Sequence, residues 1–494
     1  MSKNKLIFAL AYAYLTVPFM IFLFGWLRLI YALPLAIALG YAYWLMVKHA
    51  PEVDLRAFYA KSPMRFFIAI AIILLWVAYS GAGGFFYQNP DFMGRNGMFD
   101  ALVNRPWPSA DLYPANFDFP VGLVYYFLTW LPAVLVSRAF GWAAGTITLG
   151  IWLALGIWLT YVIIANKFAK KSALWILLVF VFFSGLDSVG IWLTGRSLHD
   201  PFFAGFCPIR RYPHIEWWNS FQLSSNTTQL FWVFNQAVPA WLATVMVMEQ
   251  RRNRSLGMIL ALLPLAALIP VFGLFVIAVY KIFENAKGMK KREFWRDLIS
   301  FENVLCLFIV TVAILFVDSN VRGNEGFNWT AFRGWHEEGR WLLGLGLEAL
   351  VWFAICFRHQ RKNPLFYLCI ASLFVLTRIR IGNEPDFAMR STIPIMFILM
   401  IFVIQSVNEF WKKRQFIAIS LAGIIFVLGA ITPFMEIGRS VSGTARAYRY
   451  GWSPETWDSH NIFEGFKYEN YAGKLDTFFW QNLARPTIDG GAER

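Results

Sequence analysis

Apolar residues run along this chain in blocks of about twenty, separated by shorter polar or basic stretches. A helix of about that length crosses the roughly 30 Å hydrocarbon core of a bilayer. The first three blocks cover about 6–26, 29–47 and 66–82. Four more lie near 119–138, 142–166, 172–194 and 229–248. The stretch 255–282 is a single apolar block with Pro264 and Pro270 inside it. The last five lie near 302–317, 341–357, 364–377, 391–407 and 415–434. The pattern predicts an all-α polytopic membrane protein with about 13 transmembrane helices.

Basic runs fix an orientation, because Lys and Arg collect on the cytoplasmic side of membrane helices. Lys3, Lys5, Lys48, Arg56, Lys61 and Arg65, and the runs 287–296, 358–362 and 412–414, all fit that side. The loops 84–118, 196–228, 318–340 and 378–390 then face outward and carry short interfacial helices. Residues 1–434 form the transmembrane domain, and 435–494 an outward tail or small cap. One conflict stands. Four blocks separate the outer loop 84–118 from Arg251, Arg252 and Arg254, which would leave those arginines outside. Either they are outside and 255–282 crosses once, or 255–282 is a broken hairpin and an earlier block does not span. Lys167, Lys170 and Lys171 pose the same choice.

Composition agrees with the blocks. Of 494 residues, 58% are apolar and 15% charged, against about 25% charged in soluble domains. A soluble enzyme, a disordered chain and a collagen are excluded. The net charge of +14 is largely topological and implies no nucleic-acid partner. The four cysteines form no CxxC pair, so neither a disulfide framework nor a zinc ribbon is implied. No phosphate-binding loop of the GxxxxGKS type is present.

Most acidic residues fall outside the apolar blocks, as the cost of burying charge in lipid demands. The outer loops interleave carboxylates, among them Asp91, Asp100, Asp200 and Asp386, with Arg95, Arg196, Arg378, Arg380 and Arg390, and with aromatics. A carboxylate supplies a general base, and arginines clamp phosphate. The same composition also suits an aromatic belt at a membrane interface.

The order of features in the first large loop is more specific. Asn89-Pro90-Asp91 precedes a helical stretch with Arg95, Asn96, Phe99 and Leu102. A Pro-Trp-Pro turn follows at 106–108, and Phe119-Pro120-Val121-Gly122-Leu123-Val124-Tyr125-Tyr126 opens the next block. Later come Phe183-Ser184-Gly185, the broken block 255–282, and Met389-Arg390-Ser391-Thr392-Ile393-Pro394. This layout resembles the GT-C superfamily of polytopic glycosyltransferases that use polyprenyl-phosphate-linked sugars. It departs from the usual pattern in three ways. Two helices precede the one that leads into the acidic loop, where one is usual, Asp91-Phe92 stands in place of an Asp-Glu pair, and Trp217-Trp218-Asn219 only echoes a Trp-Trp-Asp motif.

The resemblance implies an inverting transfer of sugar from a polyprenyl-phosphate donor to a glycan, lipid or protein acceptor. The site would lie on the outer face of a bacterial inner or plasma membrane. Asp91 is the implied base, with Asp100 in reserve. Arg390, Arg378 and Arg380 are the implied phosphate ligands, and Arg95, Asn96, Arg196 and Asp200 further binding residues. The sequence points to no definite cofactor, and His199, Asp200, His214 and Glu216 are candidate ligands of a divalent ion. Their spacing matches no compact zinc motif. Two other readings stay open: a transporter or flippase of a polar lipid or glycan, and an O-antigen polymerase- or ligase-like enzyme relying on Arg210, Arg211 and His214.

Overall fold

A computed structural model describes residues 3–54, 63–110, 118–168, 173–195, 212–321, 326–331, 334–382, 386–450 and 468–486. Nine helices among these residues are long and apolar enough to cross a membrane. The architecture is that of an all-α integral membrane protein.

Helices α1 (Leu6–Trp26) and α2 (Leu29–Lys48) form a hairpin, and α3 (Pro63–Tyr79) follows. Helix α4 (Phe92–Asn104) lies in the first large loop, and strand β1 (Val121–Leu123) closes that loop. Helices α5 (Leu131–Phe140) and α6 (Trp142–Phe168) come next, then α7 (Leu174–Phe182) and α8 (Asp187–Leu193). The central helix is α9 (Asn226–Glu249), in which every side chain from Asn226 to Val247 is buried. Helices α10 (Leu256–Ala261), α11 (Pro264–Ala267) and α12 (Pro270–Ala286) form a broken unit. Helices α13 (Lys291–Leu298) and α14 (Phe301–Asp318) precede β2 (Phe327–Trp329). Helix α15 (Trp335–Leu345) runs through one π turn into α16 (Val351–Gln360). Then come α17 (Pro364–Leu376), β3 (Ile379–Ile381), α18 (Asp386–Ser391) and α19 (Ile393–Lys412). Helices α20 (Phe416–Gly429) and α21 (Ile431–Arg449) and strand β4 (Ala472–Lys474) complete the order.

The bundle has a basic end and a loop end. At the basic end Lys167 pairs with Glu249, Arg252 with Asp297, Arg254 with Glu302, and Asn285 bonds to Asn253. At the loop end β1 pairs antiparallel with β4, and β2 with β3. The bridge Leu27–Ala484 ties the first hairpin to the C-terminal segment, and Arg28 donates to the carbonyls of Gln481 and Ala484.

These contacts place the arginines at 251–254 within the bundle, at its basic end. The stretch 119–140 dips into the bundle and returns. Its Thr129 hydroxyl reaches the Asn235 carbonyl within α9, while Arg138 bonds the Leu102 and Arg105 carbonyls at the loop end. The block 255–282 is the broken hairpin: it leaves the basic end at Arg254, turns at the prolines and brings Asn285 back beside Asn253. Proline lacks the N–H that would continue a helix, so Pro264 and Pro270 sit at the starts of new helices. Lys167 and Arg251–Arg254 thus share one end.

Close helix contact needs small residues in a bundle whose helices are apolar all round. At Gly156 of α6 an added Cβ would stand 2.6 Å from Val238 Cγ1 of α9 and 2.8 Å from Tyr14 of α1. Gly156→Val therefore overpacks a three-helix junction and costs about 1–3 kcal/mol, read as a lower melting temperature of the purified protein, with Gly156→Ala milder.

Candidate functional site

The central helix is broken at Val233, whose dihedrals (φ −146°, ψ 39°) are not helical. The break leaves backbone carbonyls for side chains to satisfy, as a buried polar group must be. Asn89 Nδ2 donates to Phe231 O at 2.9 Å, and Arg95 Nη2 donates to Trp232 O. Further along, Pro239 offers no N–H to the Asn235 carbonyl, and Thr129 Oγ1 fills that place at 3.0 Å. Asn89 and Arg95 flank Asp91, so the break in α9 anchors the start of α4.

Asp91 occupies the position before α4, but its side chain does not cap the helix. Arg95 Nη2 holds Asp91 Oδ2 at 3.0 Å; the Asp91 side chain is 49% exposed and that of Arg95 only 8%. The Arg95 guanidinium packs over Phe92 and Phe234, and its buried Nη1 has no hydrogen-bond partner among the described residues.

Arg390, from α18, enters the same neighbourhood. Its Nη1 donates to Tyr126 Oη at 2.9 Å and its Nη2 to Asp386 Oδ2 at 2.8 Å, and its buried Nε has no partner among the described residues. The Tyr125 ring stacks on Tyr126 at 3.8 Å and meets Tyr471 at 4.6 Å. Burial alone would weaken the hold of Arg390 on its proton. Tyr126, Asp386, Tyr125 and Asp91 reverse that and raise it above the usual arginine value. Burial also pushes the Tyr471 hydroxyl up, against the pull of Arg95. Asp91, Arg95 and Arg390 are therefore one electrostatic unit lined by three tyrosines.

The other sequence candidates lie elsewhere or outside the described residues. Asn96 Nδ2 bonds Gln88 Oε1 at 2.8 Å. Asp100 accepts from Asn104 at 2.7 Å, nine residues and about 13 Å along α4 from Asp91. Arg378 pairs with Glu338 at 2.7 Å and covers the Trp341 ring, while Arg380 reaches the Ser220 carbonyl at 3.4 Å. Arg196, His199, Asp200, Arg210 and Arg211 lie outside the described residues. Among the described residues no three His, Cys, Asp or Glu side chains form a group able to hold a metal.

Sequence reasoning overlooked a second assembly, buried behind Trp232. Glu436 of α21 accepts from Trp232 Nε1 at 2.8 Å and from Arg439 Nη1 at 2.7 Å, and pairs with His214 Nδ1 at 2.8 Å. Glu216 accepts from the Ser225 N–H at 2.9 Å and from Thr228 and Gln222 side chains at 2.6 Å. The Trp218 indole N–H is shared between Asp187 (3.3 Å) and Glu348 (2.8 Å), and Thr432 also donates to Asp187 at 2.6 Å. Asp187, His214 and Glu216 were visible as polar residues near block ends. Glu348 was detectable as a lone carboxylate inside an apolar block. Glu436 and Arg439 were read as tail, although α21 brings both into the interior. Asn89 and Trp232 line a small cleft together with Glu436 and Arg439.

Compared with known proteins, the chain matches no family model, no curated protein and no solved structure.

Burial, reinforced by Asp187, pushes the Glu216 carboxyl up to about 7 from 4.5, against the opposing pull of His214 and Thr228. A carboxyl that holds its proton more tightly when folded stabilises the fold fully below its unfolded value and loses that contribution as pH rises through its folded value. The wild-type melting temperature should therefore decline from about pH 5 to about pH 8 more steeply than that of Glu216→Gln. Parallel curves for the two proteins would show that Glu216 carries no such linkage.

Proposed function

We propose that this protein is a GT-C-like glycosyltransferase that moves a sugar from a polyprenyl-phosphate donor to an acceptor at the loop end. The observation that supports this reading best is the half-exposed Asp91 carboxylate beside the buried Arg95 and Arg390, among Tyr125, Tyr126 and Tyr471. In this reading an acceptor hydroxyl gives its proton to Asp91 while its oxygen bonds to the anomeric carbon. The bond from that carbon to the lipid phosphate breaks, its electron pair stays on the phosphate oxygen, and configuration inverts. Arg390 and Arg95 hold the developing charge, a task that suits donors already fixed in place. The tyrosines offer faces for the sugar ring.

The membrane arrangement belongs to the same proposal. The nine long helices, with the shorter Pro63–Tyr79, Leu256–Ala267, Pro270–Ala286 and Pro364–Leu376, make thirteen passes, and Leu128–Phe140 enters and returns on one side. The basic end faces the cytoplasm, the loop end faces outward from a bacterial plasma membrane, and α4 and α18 lie at the interface. A cysteine-free background carrying Ser220→Cys should react with a membrane-impermeant maleimide on intact cells, and Lys287→Cys, exposed at the other end, only after lysis. The opposite labelling would invert the assignment.

Activity provides the main test. With membranes supplied with undecaprenyl-phosphate-linked sugars, Asp91→Asn should lose about 10²–10⁴-fold in transfer at wild-type expression. Arg390→Gln should lower transfer as well. Undiminished transfer in both would remove this site from the chemistry, and lipid translocation without any glycosidic bond would favour the flippase reading.

A further inference from the structure

The opposite end of the bundle carries a cavity of about 200 Å³ between α6, α9, α12 and α19. Its inner walls are aliphatic and aromatic, with Ile401 and Phe402 among them, and four charged side chains line it. Lys167 of α6 pairs with Glu249 of α9, and Lys281 of α12 pairs with Glu284 one turn on at 2.5 Å. Lys167 also acts electrostatically on Glu284, so the two pairs face a common space. Lys281 is 9% exposed.

Two cations and two anions around one space are neutral in sum and polar in detail. An anionic ligand would meet both glutamates, and a cationic one both lysines. The complementary ligand is a zwitterion with one negative and one positive group a few bonds apart. A volume of about 200 Å³ equals the liquid volume of roughly seven waters, enough for a phosphate and a short amine arm. A primary ammonium donates three hydrogen bonds that carboxylates accept, and a phosphate takes lysine donors. A quaternary ammonium has no N–H to give. The apolar inner wall and the location at helix ends suit a molecule whose remainder lies in the bilayer.

We propose that this cavity binds the phosphoethanolamine headgroup of a membrane phospholipid, the phosphate facing Lys167 and Lys281 and the amine facing Glu249 and Glu284. The proposal is independent of the glycosyltransferase reading.

Native mass spectrometry of the full-length protein in detergent, with phosphatidylethanolamine, phosphatidylcholine and phosphatidylglycerol offered in equal amounts, tests it. The expected result is retention of phosphatidylethanolamine by roughly tenfold over the other two, a preference of about 1.4 kcal/mol. Lys281→Met and Glu249→Gln, each first checked for a wild-type elution profile, should each abolish that preference, and Lys281→Arg should keep it. Equal retention of the three lipids, or an unchanged preference in both folded neutral variants, overturns the proposal. Free O-phosphoethanolamine is the other source of this chemistry. If it stabilises the protein while phosphatidylethanolamine is not retained, the ligand is soluble and the lipid assignment falls.

Discussion

A helix inside a bilayer has no water to satisfy its backbone, so each break in its hydrogen-bond ladder must be answered by another part of the protein. Helix α9 is the most enclosed element of this bundle and it is broken at Val233. The answers come from far away in sequence: Asn89 and Arg95 from the first loop, and Thr129 from the returning segment. These three bonds lock the first loop onto the core. They also aim Asp91, which is held by the Arg95 guanidinium and by its own N–H on Asn89 Oδ1.

The second assembly shows what such locking demands in charge. Asp187, Glu216, Glu348 and Glu436 are all buried, with His214 and Arg439 as neighbours. Removing one partner from a buried ion pair strands a charge at a cost of about 3–5 kcal/mol. The group therefore spans five segments, around Asp187, 214–222, 225–232, Glu348 and 432–439, is held together by indole, hydroxyl and amide donors, and tolerates little rearrangement. Trp232 is the shared wall. Its indole serves Glu436 and its carbonyl serves Arg95.

Most of the architecture was legible in the chain, because the length and spacing of apolar blocks are read directly against bilayer thickness. The first block coincides with Leu6–Trp26. The positive-inside conflict at Arg251–Arg254 was also legible as a conflict, and the break within 255–282 falls at the prolines. Legibility stopped where segments meet. Asp91, Arg95 and Arg390 could each be nominated from local context, yet their convergence depends on α18 bringing Arg390 to Tyr126 and within electrostatic reach of Asp91. Arg378 and Arg380 carry the same chemistry twelve and ten residues earlier but are spent on Glu338 and Ser220. Glu436 was misread because α20 ends at Gly429 and a new helix starts at Ile431, so a residue placed by sequence in a tail lies in the interior.

The pairing of β1 with β4 has a consequence for how the protein is made. Residues 121–123 leave the ribosome some 350 positions before the strand that completes them. The same late segment brings Tyr471 against Tyr125 and seals Trp26 and Arg28 of the first hairpin. Helices can insert in order, but the tyrosine-lined group must wait for residues 471–485. A nascent chain that stalls after α21 would hold an inserted bundle with an unfinished rim, so assembly itself keeps this group incomplete until Tyr471 and β4 have been made.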